Sequence, residues 1–266
     1  MNSLWKRIGK LLPLLAAGSL LYANVIPPPQ AHFHHTYSLG PNGHVNIQNL
    51  YGDVSITAWD RDEVLVEAFK RSADPRQLDE AQIVVEPSSC GLSIHTRYSG
   101  SDTGHLASVE YRITVPRAAT LDQVKLINGG LSISGLSGSV TASAVNGSIR
   151  AERLGGHADL STVNGRLSAD FNRISSANQI SLRSINGPIT LSIPSGAGAN
   201  LNARNQSGGI ESEFGQAVRG DSGQELHTRV NRGGATILVH NVNGGISIHG
   251  QYLSSALRPG HKGPAF

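Results

Sequence analysis

Cysteine is almost absent from this chain. Cys90 stands alone among 266 residues, so no intrachain disulfide can form and cohesion has to come from packing. Cys90 also lies far from the N-terminus, which excludes lipid attachment to a cysteine just behind a signal. Aromatic residues make up only 5%, and between Leu126 and Leu191 the one aromatic is Phe171, so no platform for stacking sugars or bases is built there. An excess of charge is missing as well. The 22 bases fall to 19 once Lys6, Arg7 and Lys10 are set aside, equal to the 19 acids, and no basic stripe interleaved with aromatics remains, so no nucleic-acid partner is expected.

Long apolar runs are also few. The uncharged stretch from Leu11 to Ile26 follows those three bases and is shorter than the ~20 residues of a spanning helix, so it reads as a secretory signal. Ala23 and Ala31 are the candidate cleavage points, although neither has a clean small-x-small site, and Pro27-Pro28-Pro29 adds a stiff linker, giving a leader over residues 1–31. Export to the periplasm, the cell envelope or the outside follows. The alternative is an uncleaved signal acting as an N-terminal anchor, the only membrane contact the sequence suggests.

What the chain does have is a repeat. Asn-Gly recurs at Asn128-Gly129, Asn146-Gly147, Asn164-Gly165 and Asn186-Gly187, and again at Asn243-Gly244. Three residues after each of the first four asparagines lie Leu131, Ile149, Leu167 and Ile189, and five after lie Ile133, Ala151, Ala169 and Leu191. Polar residues alternate with them, which is the period of a strand with one face inward. A second run matches Val140, Ala142 and Val145 to Ala158, Leu160 and Val163. Each unit of about 18 residues is therefore two strands separated by a Gly turn and an Asn-Gly corner, where both corner residues tolerate positive φ. Consecutive antiparallel hairpins and a β-solenoid both fit; the match of residue type between equivalent positions favours the solenoid, with a thin core of small residues.

The rest of the chain is organised around that stack. Val45 and Ile47, Val54 to Ala58 and Val64 to Ala68 alternate as short strands. Asp74-Pro75 opens a short helix to about Ala81, and strands follow at Ile83–Glu86, Leu92–Tyr98 and Val109–Val115. The division expected is an irregular β capping layer over residues 38–117, the repeat region over 118–250 and a disordered tail over 251–266. Between Phe171 and Ala177 an insertion lengthens one coil to 22 residues. Ser207 falls two periods before Asn243 and opens a weaker unit.

The stretches Leu126-Ile127-Asn128-Gly129-Gly130-Leu131-Ser132-Ile133, Ala144-Val145-Asn146-Gly147-Ser148-Ile149 and Asn241-Val242-Asn243-Gly244-Gly245-Ile246-Ser247-Ile248, with Tyr111-Arg112-Ile113-Thr114-Val115-Pro116 ahead of them, resemble the bacterial putative-adhesin family of β-strand-repeat domains of unknown function. The resemblance spans roughly residues 40 to 250. It implies an all-β, solenoid-like fold and an envelope or secreted location, and brings no catalytic motif.

Chemistry is sparse. Asp159 and Asp170 read as scattered solvated acids rather than the paired carboxylates of a glycosidase, so a polysaccharide-active enzyme ranks last and no enzyme is expected. The Gly-rich turns lack a phosphate-loop Lys and the regular Asp of calcium-binding repeats, and regular Thr-x-Thr rows are absent. The tract His32, Phe33, His34, His35, with His44 nearby, offers imidazoles, but no neighbouring Cys, Asp or Glu completes a metal site, so it reads as a solvated leader and neither metal nor cofactor is expected. What remains is a flat polar surface. Ser132, Ser148, Arg150, Ser161, Arg166 and Ser168 are its candidate binding residues, facing envelope polymers or proteins of unknown identity. The competing expectation is a purely structural scaffold whose polar face is only its solvated side.

Overall fold

The computed structural model describes residues 30–99, 106–220 and 222–251. The signal segment through Pro29, most of the polar loop from Ser99 to Leu106 and the tail from residue 252 lie outside the described residues.

In chain order, the first elements are β1 (Gln30–Ser38), β2 (His44–Tyr51), β3 (Val54–Trp59), β4 (Glu63–Arg71) and helix α1 (Pro75–Glu80). Asp74 caps that helix by accepting from the Arg76 N–H, with Pro75 in its first turn. Next come β5 (Ala81–Pro87), β6 (Gly91–Tyr98) and β7 (Ser108–Pro116). The repeats supply β8 (Thr120–Asn128), β9 (Leu131–Ser134), β10 (Val140–Asn146), β11 (Ile149–Leu154), β12 (Ala158–Asn164), β13 (Leu167–Phe171), β14 (Gln179–Asn186) and β15 (Ile189–Pro194). The chain continues through β16 (Ala199–Ser207), β17 (Ile210–Ser212), β18 (Val218–Gly220), β19 (Gly223–Val230), β20 (Ala235–Asn243) and β21 (Ile246–Gln251).

These strands form two sheets. Sheet A has the order β1-β4-β7-β3-β9-β11-β13-β15-β21-β17, and sheet B the order β18-β19-β16-β20-β14-β12-β10-β8-β2-β6-β5. Each coil crosses sheet B, turns at a corner and returns in sheet A. Equivalent strands stack in parallel and in register: Ile149 pairs with Leu131 and Leu167, and Ile189 with Leu167 and Ile246. The fold is a β-solenoid-like stack. Antiparallel pairing is confined to its ends, at β1-β4-β7, β5-β6 and β16-β19-β18, where hairpins cover the end coils. The core is one continuous apolar row system, and Ala142, Ala144, Ala151, Ala158 and Ala169 within it are buried and keep the two sheets close.

Three features depart from the sequence reading. The histidine tract is not a free leader: it is strand β1, paired antiparallel with β4 from Gln30↔Arg71 to Ser38↔Glu63. Val145 and Val163 point outward, because the period of two runs unbroken from Val140 and Ala158 and gives the inward slots to Ala144 and Thr162. Coil order also differs from chain order at both ends. The β6–β7 coil lies outside β2–β3, and the C-terminal β20–β21 coil is inserted between β14–β15 and β16–β17. Ser207 therefore sits beside Asn243, one coil further out.

Candidate functional site

The corners explain the Asn-Gly signature. Each asparagine is the last residue of its sheet B strand and has ordinary negative φ; the non-glycine residues with positive φ are Arg153 and Asn231 among the described residues. The expected reason for Asn, tolerance of positive φ, is thus replaced by another. The side-chain amides form a ladder in which Asn146 donates to Asn128 at 3.0 Å, Asn164 to Asn146 at 2.9 Å, Asn186 to Asn164 at 2.9 Å and Asn243 to Asn186 at 3.0 Å. The glycine is needed because the previous coil approaches it. A Cβ on Gly147 would stand 1.8 Å from the Gly129 carbonyl oxygen, and one on Gly165 2.3 Å from that of Gly147; Gly129, Gly187 and Gly244 meet Gly52, Gly165 and Gly187 in the same way.

Two residues before each corner asparagine runs a buried row that sequence reasoning missed. Thr162 Oγ1 donates to the Gly147 carbonyl at 2.9 Å, Asn241 Nδ2 to Gly187 at 3.0 Å and Asn205 Nδ2 to Gly244 at 2.7 Å. The available signal was a polar residue on the inward side of the alternation, at Thr162, Ser184, Asn205 and Asn241.

The six candidate surface residues divide among three places. Ser132, Arg150 and Ser168 form one outward row on sheet A, where Arg150 pairs with Glu152 at 2.8 Å. Ser148 and Arg166 neighbour each other at the corner, the Arg166 N–H donating to Ser148 Oγ at 3.1 Å. Ser132 and Ser148 line a hollow of about 410 Å³ with Asp53, Glu110 and Arg112. Ser161 belongs to the opposite, sheet B surface.

That sheet B surface carries the most developed relief. A hollow of about 450 Å³ crosses β10, β12, β14 and β20, with Thr141, His157, Asp159, Gln179, Arg183 and Leu238 among its lining. A second, of about 410 Å³, continues from the shared Leu238 over Arg204, His227 and His240. Leu238 is 47% exposed and stands where its register partners are Ser181 and Asn202, so one large apolar side chain divides the groove. Charges around it are paired, Arg183 with Asp159 at 3.1 Å and Arg204 with Glu225 at 3.5 Å, and the His227 ring stands 3.3 Å from Glu225. Asp159 is thus an ion-pair member rather than a lone solvated acid, and Asp170 accepts from the Arg153 N–H and from Gln251.

Beside the groove, along the Asn corner, Leu50, Ile127, Val145, Val163, Ile185 and Val242 stack in one outward row. Leu50, Ile127, Val145 and Ile185 are between 37% and 45% exposed, so this surface is amphipathic, not merely hydroxyl-rich. Two exposed carboxylates away from the groove are perturbed. Asp60 is held below the usual carboxylate range by the hydrogen bond and then the charge of Arg117, and Glu213 by the Gly250 N–H and then His249. Among the described residues the one cluster of three or more metal-ligating side chains lies elsewhere, on the β1–β4 edge.

The Toastrack family model, of the DUF4097 class, matches residues 40–249. The chain belongs to that family. Its strand rows and corners cover the whole matched range. Solved structures with a similar fold include a putative cell adhesion protein from Clostridium sporogenes, 12% identical over 83% of this chain and 100% of its own, with TM-score 0.49. A putative adhesin from Bacteroides fragilis is 11% identical over 84% and 99%, with TM-score 0.43, and a putative lipid binding protein from Parabacteroides distasonis is 10% identical over 83% and 97%, with TM-score 0.31. Likeness at this level concerns the fold alone. No curated protein is significantly similar to the chain. No helix among the described residues is long and apolar enough to cross a membrane.

Proposed function

We propose that this Toastrack chain is an exported, non-enzymatic, adhesin-like binding protein that takes an extended amphipathic polymer of the cell envelope on the outward face of sheet B. The observation that carries the reading is the juxtaposition of the Leu238-divided groove with the aliphatic row from Leu50 to Val242 on one face. Hydroxyls and amides of Thr141, Ser181, Gln179 and Thr236 supply donors and acceptors, the paired charges fix orientation without a net field, and the aliphatic row offers a dry strip about 24 Å long at ~4.8 Å per strand. Export is supported by the signal-like N-terminus.

The test is co-sedimentation of the full chain with isolated cell-wall glycan, lipid-containing envelope and whole cells. Saturable binding that is lost in Leu238→Asp/Ile185→Asp and retained in Ser132→Ala/Arg150→Ala supports the sheet B reading. Loss only in the second variant would move the site to sheet A. The scaffold reading is favoured by the Asn ladder, a device of pure cohesion; it predicts no binding to any fraction while circular dichroism shows an intact fold.

A further inference from the structure

The histidine tract lacks a third ligand in sequence, but the fold supplies one. On β1, His32 and His34 are two residues apart and so face the same side of the strand. His34 lies directly opposite Glu67 of β4, and His32 opposite Phe69. His34 Nδ1 is 3.3 Å from Glu67 Oε1 and His32 Nε2 is 4.0 Å from the same oxygen; the three ligand atoms all fall within 4.8 Å of one another. In a tetrahedral site with metal–ligand bonds near 2.0–2.1 Å, neighbouring ligand atoms stand roughly 3.3 Å apart. The His34–Glu67 spacing already matches; His32 Nε2 has to close from 4.0 Å to about 3.3 Å on Glu67 and from at most 4.8 Å to about the same spacing on His34.

Its surroundings allow that movement and restrain larger ones. The His32 ring stacks on Phe69 at 4.5 Å between centroids and 11° between planes, so it can slide along the ring while keeping its tilt. Arg112, opposite Glu67 on β7, has its guanidinium over Phe69 at 4.7 Å and donates to Glu110 at 2.8 Å, so a carboxylate other than Glu67 takes its charge. His35 points to the other side of β1, edge-on to Tyr37 at 4.6 Å. With His32 and His34 about half exposed and Glu67 30% exposed, solvent reaches the remaining coordination positions.

We infer that His32, His34 and Glu67 form a surface site for a divalent transition-metal ion of the zinc or copper class, and that the ion ties edge strand β1 to β4. Two imidazoles and one carboxylate suit borderline metals rather than Ca²⁺ or Mg²⁺, which prefer all-oxygen shells. β1 has a single neighbouring strand, so a cross-strand bridge would hold the outermost strand of sheet A at the point where the chain enters the stack. Leader cleavage after Ala23 or Ala31 would retain all three ligands.

The experiment uses the untagged full chain, stripped with chelator, titrated by calorimetry with Zn²⁺ and separately with Cu²⁺, with amide exchange followed over β1. One ion should bind per chain, and slower exchange in β1 should accompany it. His32→Ala/His34→Ala should remove the site. Glu67→Gln, which preserves shape and the β1–β4 ladder, should weaken it by about tenfold or more, whereas His35→Ala should bind as the parent does. Equal binding by the parent and the double variant, or binding that leaves β1 exchange unchanged, would overturn the assignment.

Discussion

The two ends of the stack use the same corner device and finish it differently. At the N-terminal end the outer coil contributes Thr96, whose hydroxyl donates to Asn49 Oδ1 at 3.2 Å and bonds the Tyr111 hydroxyl at 2.7 Å, while Asn49 Nδ2 serves the carbonyls of Gly52 and Val109. At the C-terminal end the equivalent pair is Asn205 beside Asn241. Both Nδ2 groups reach glycine carbonyls, but both Oδ1 atoms are buried without a donor among the described residues. The difference is one hydroxyl: an amide closes a corner fully only when its neighbour brings a donor for its oxygen.

The largest test of this comparison ends the chain after Gly234. Without β20 and β21 a coil-wide gap opens inside the stack, and β16–β19 should lose cooperative folding, read as a shallower urea transition and fast amide exchange in β16. Ile149→Asp, in the middle and equidistant in kind from both ends, should unfold the chain by burying an unpaired charge; an unchanged melting curve would reject its inward placement. Asn49→Ala should cost about 2–3 kcal/mol, since it removes the donor to the Gly52 and Val109 carbonyls and leaves Thr96 with Tyr111 alone.

Alkali should discriminate next. Burial raises the Tyr111 phenol from 10.0 to about 12, the Thr96 hydrogen bond opposing it. A phenol whose folded pKa is raised leaves stability whole below pH 10 and removes it as pH climbs towards about 12, here on the order of 3 kcal/mol. Tyr111→Phe should lose about 1 kcal/mol at neutral pH yet make the alkaline limb shallower, leaving the part that the partly buried Tyr98 phenol contributes, read by chemical denaturation at several pH values. Asn241→Thr should go the other way and stabilise by about 1 kcal/mol. Thr162 shows that a threonine in that slot reaches the glycine carbonyl, and the orphan oxygen disappears. Smallest of all, Gly209→Ala, with nothing within 4 Å of a new Cβ, should shift stability by about 0.5 kcal/mol or less, unlike Gly147→Ala, whose Cβ would meet the Gly129 carbonyl.

What the sequence made legible was whatever repeats. Equivalent positions such as Leu131, Ile149, Leu167 and Ile189 meet the same neighbours coil after coil, so their alternation and their asparagine corners could be read locally. The order of coils at the ends could not, because it depends on pairings such as Asn186↔Asn243 and Tyr51↔Asn128 between residues more than fifty positions apart. The sheet B groove was hidden for a related reason. Leu238 is an ordinary outward residue in its own strand, and only its placement between Ser181 and Asn202 makes it a divider. Glu67 and the histidines are likewise joined by a ladder, not by a motif.

The inserted C-terminal coil also has a mechanical consequence. A terminal coil stacked last would peel from one neighbour, bond by bond. β21 instead has β15 on one side and β17 on the other, so tension applied at Gln251 along the strand loads two parallel ladders in shear at once. Pulled through that strand, the β20–β21 coil resists as an interior layer of the stack rather than as its outermost one.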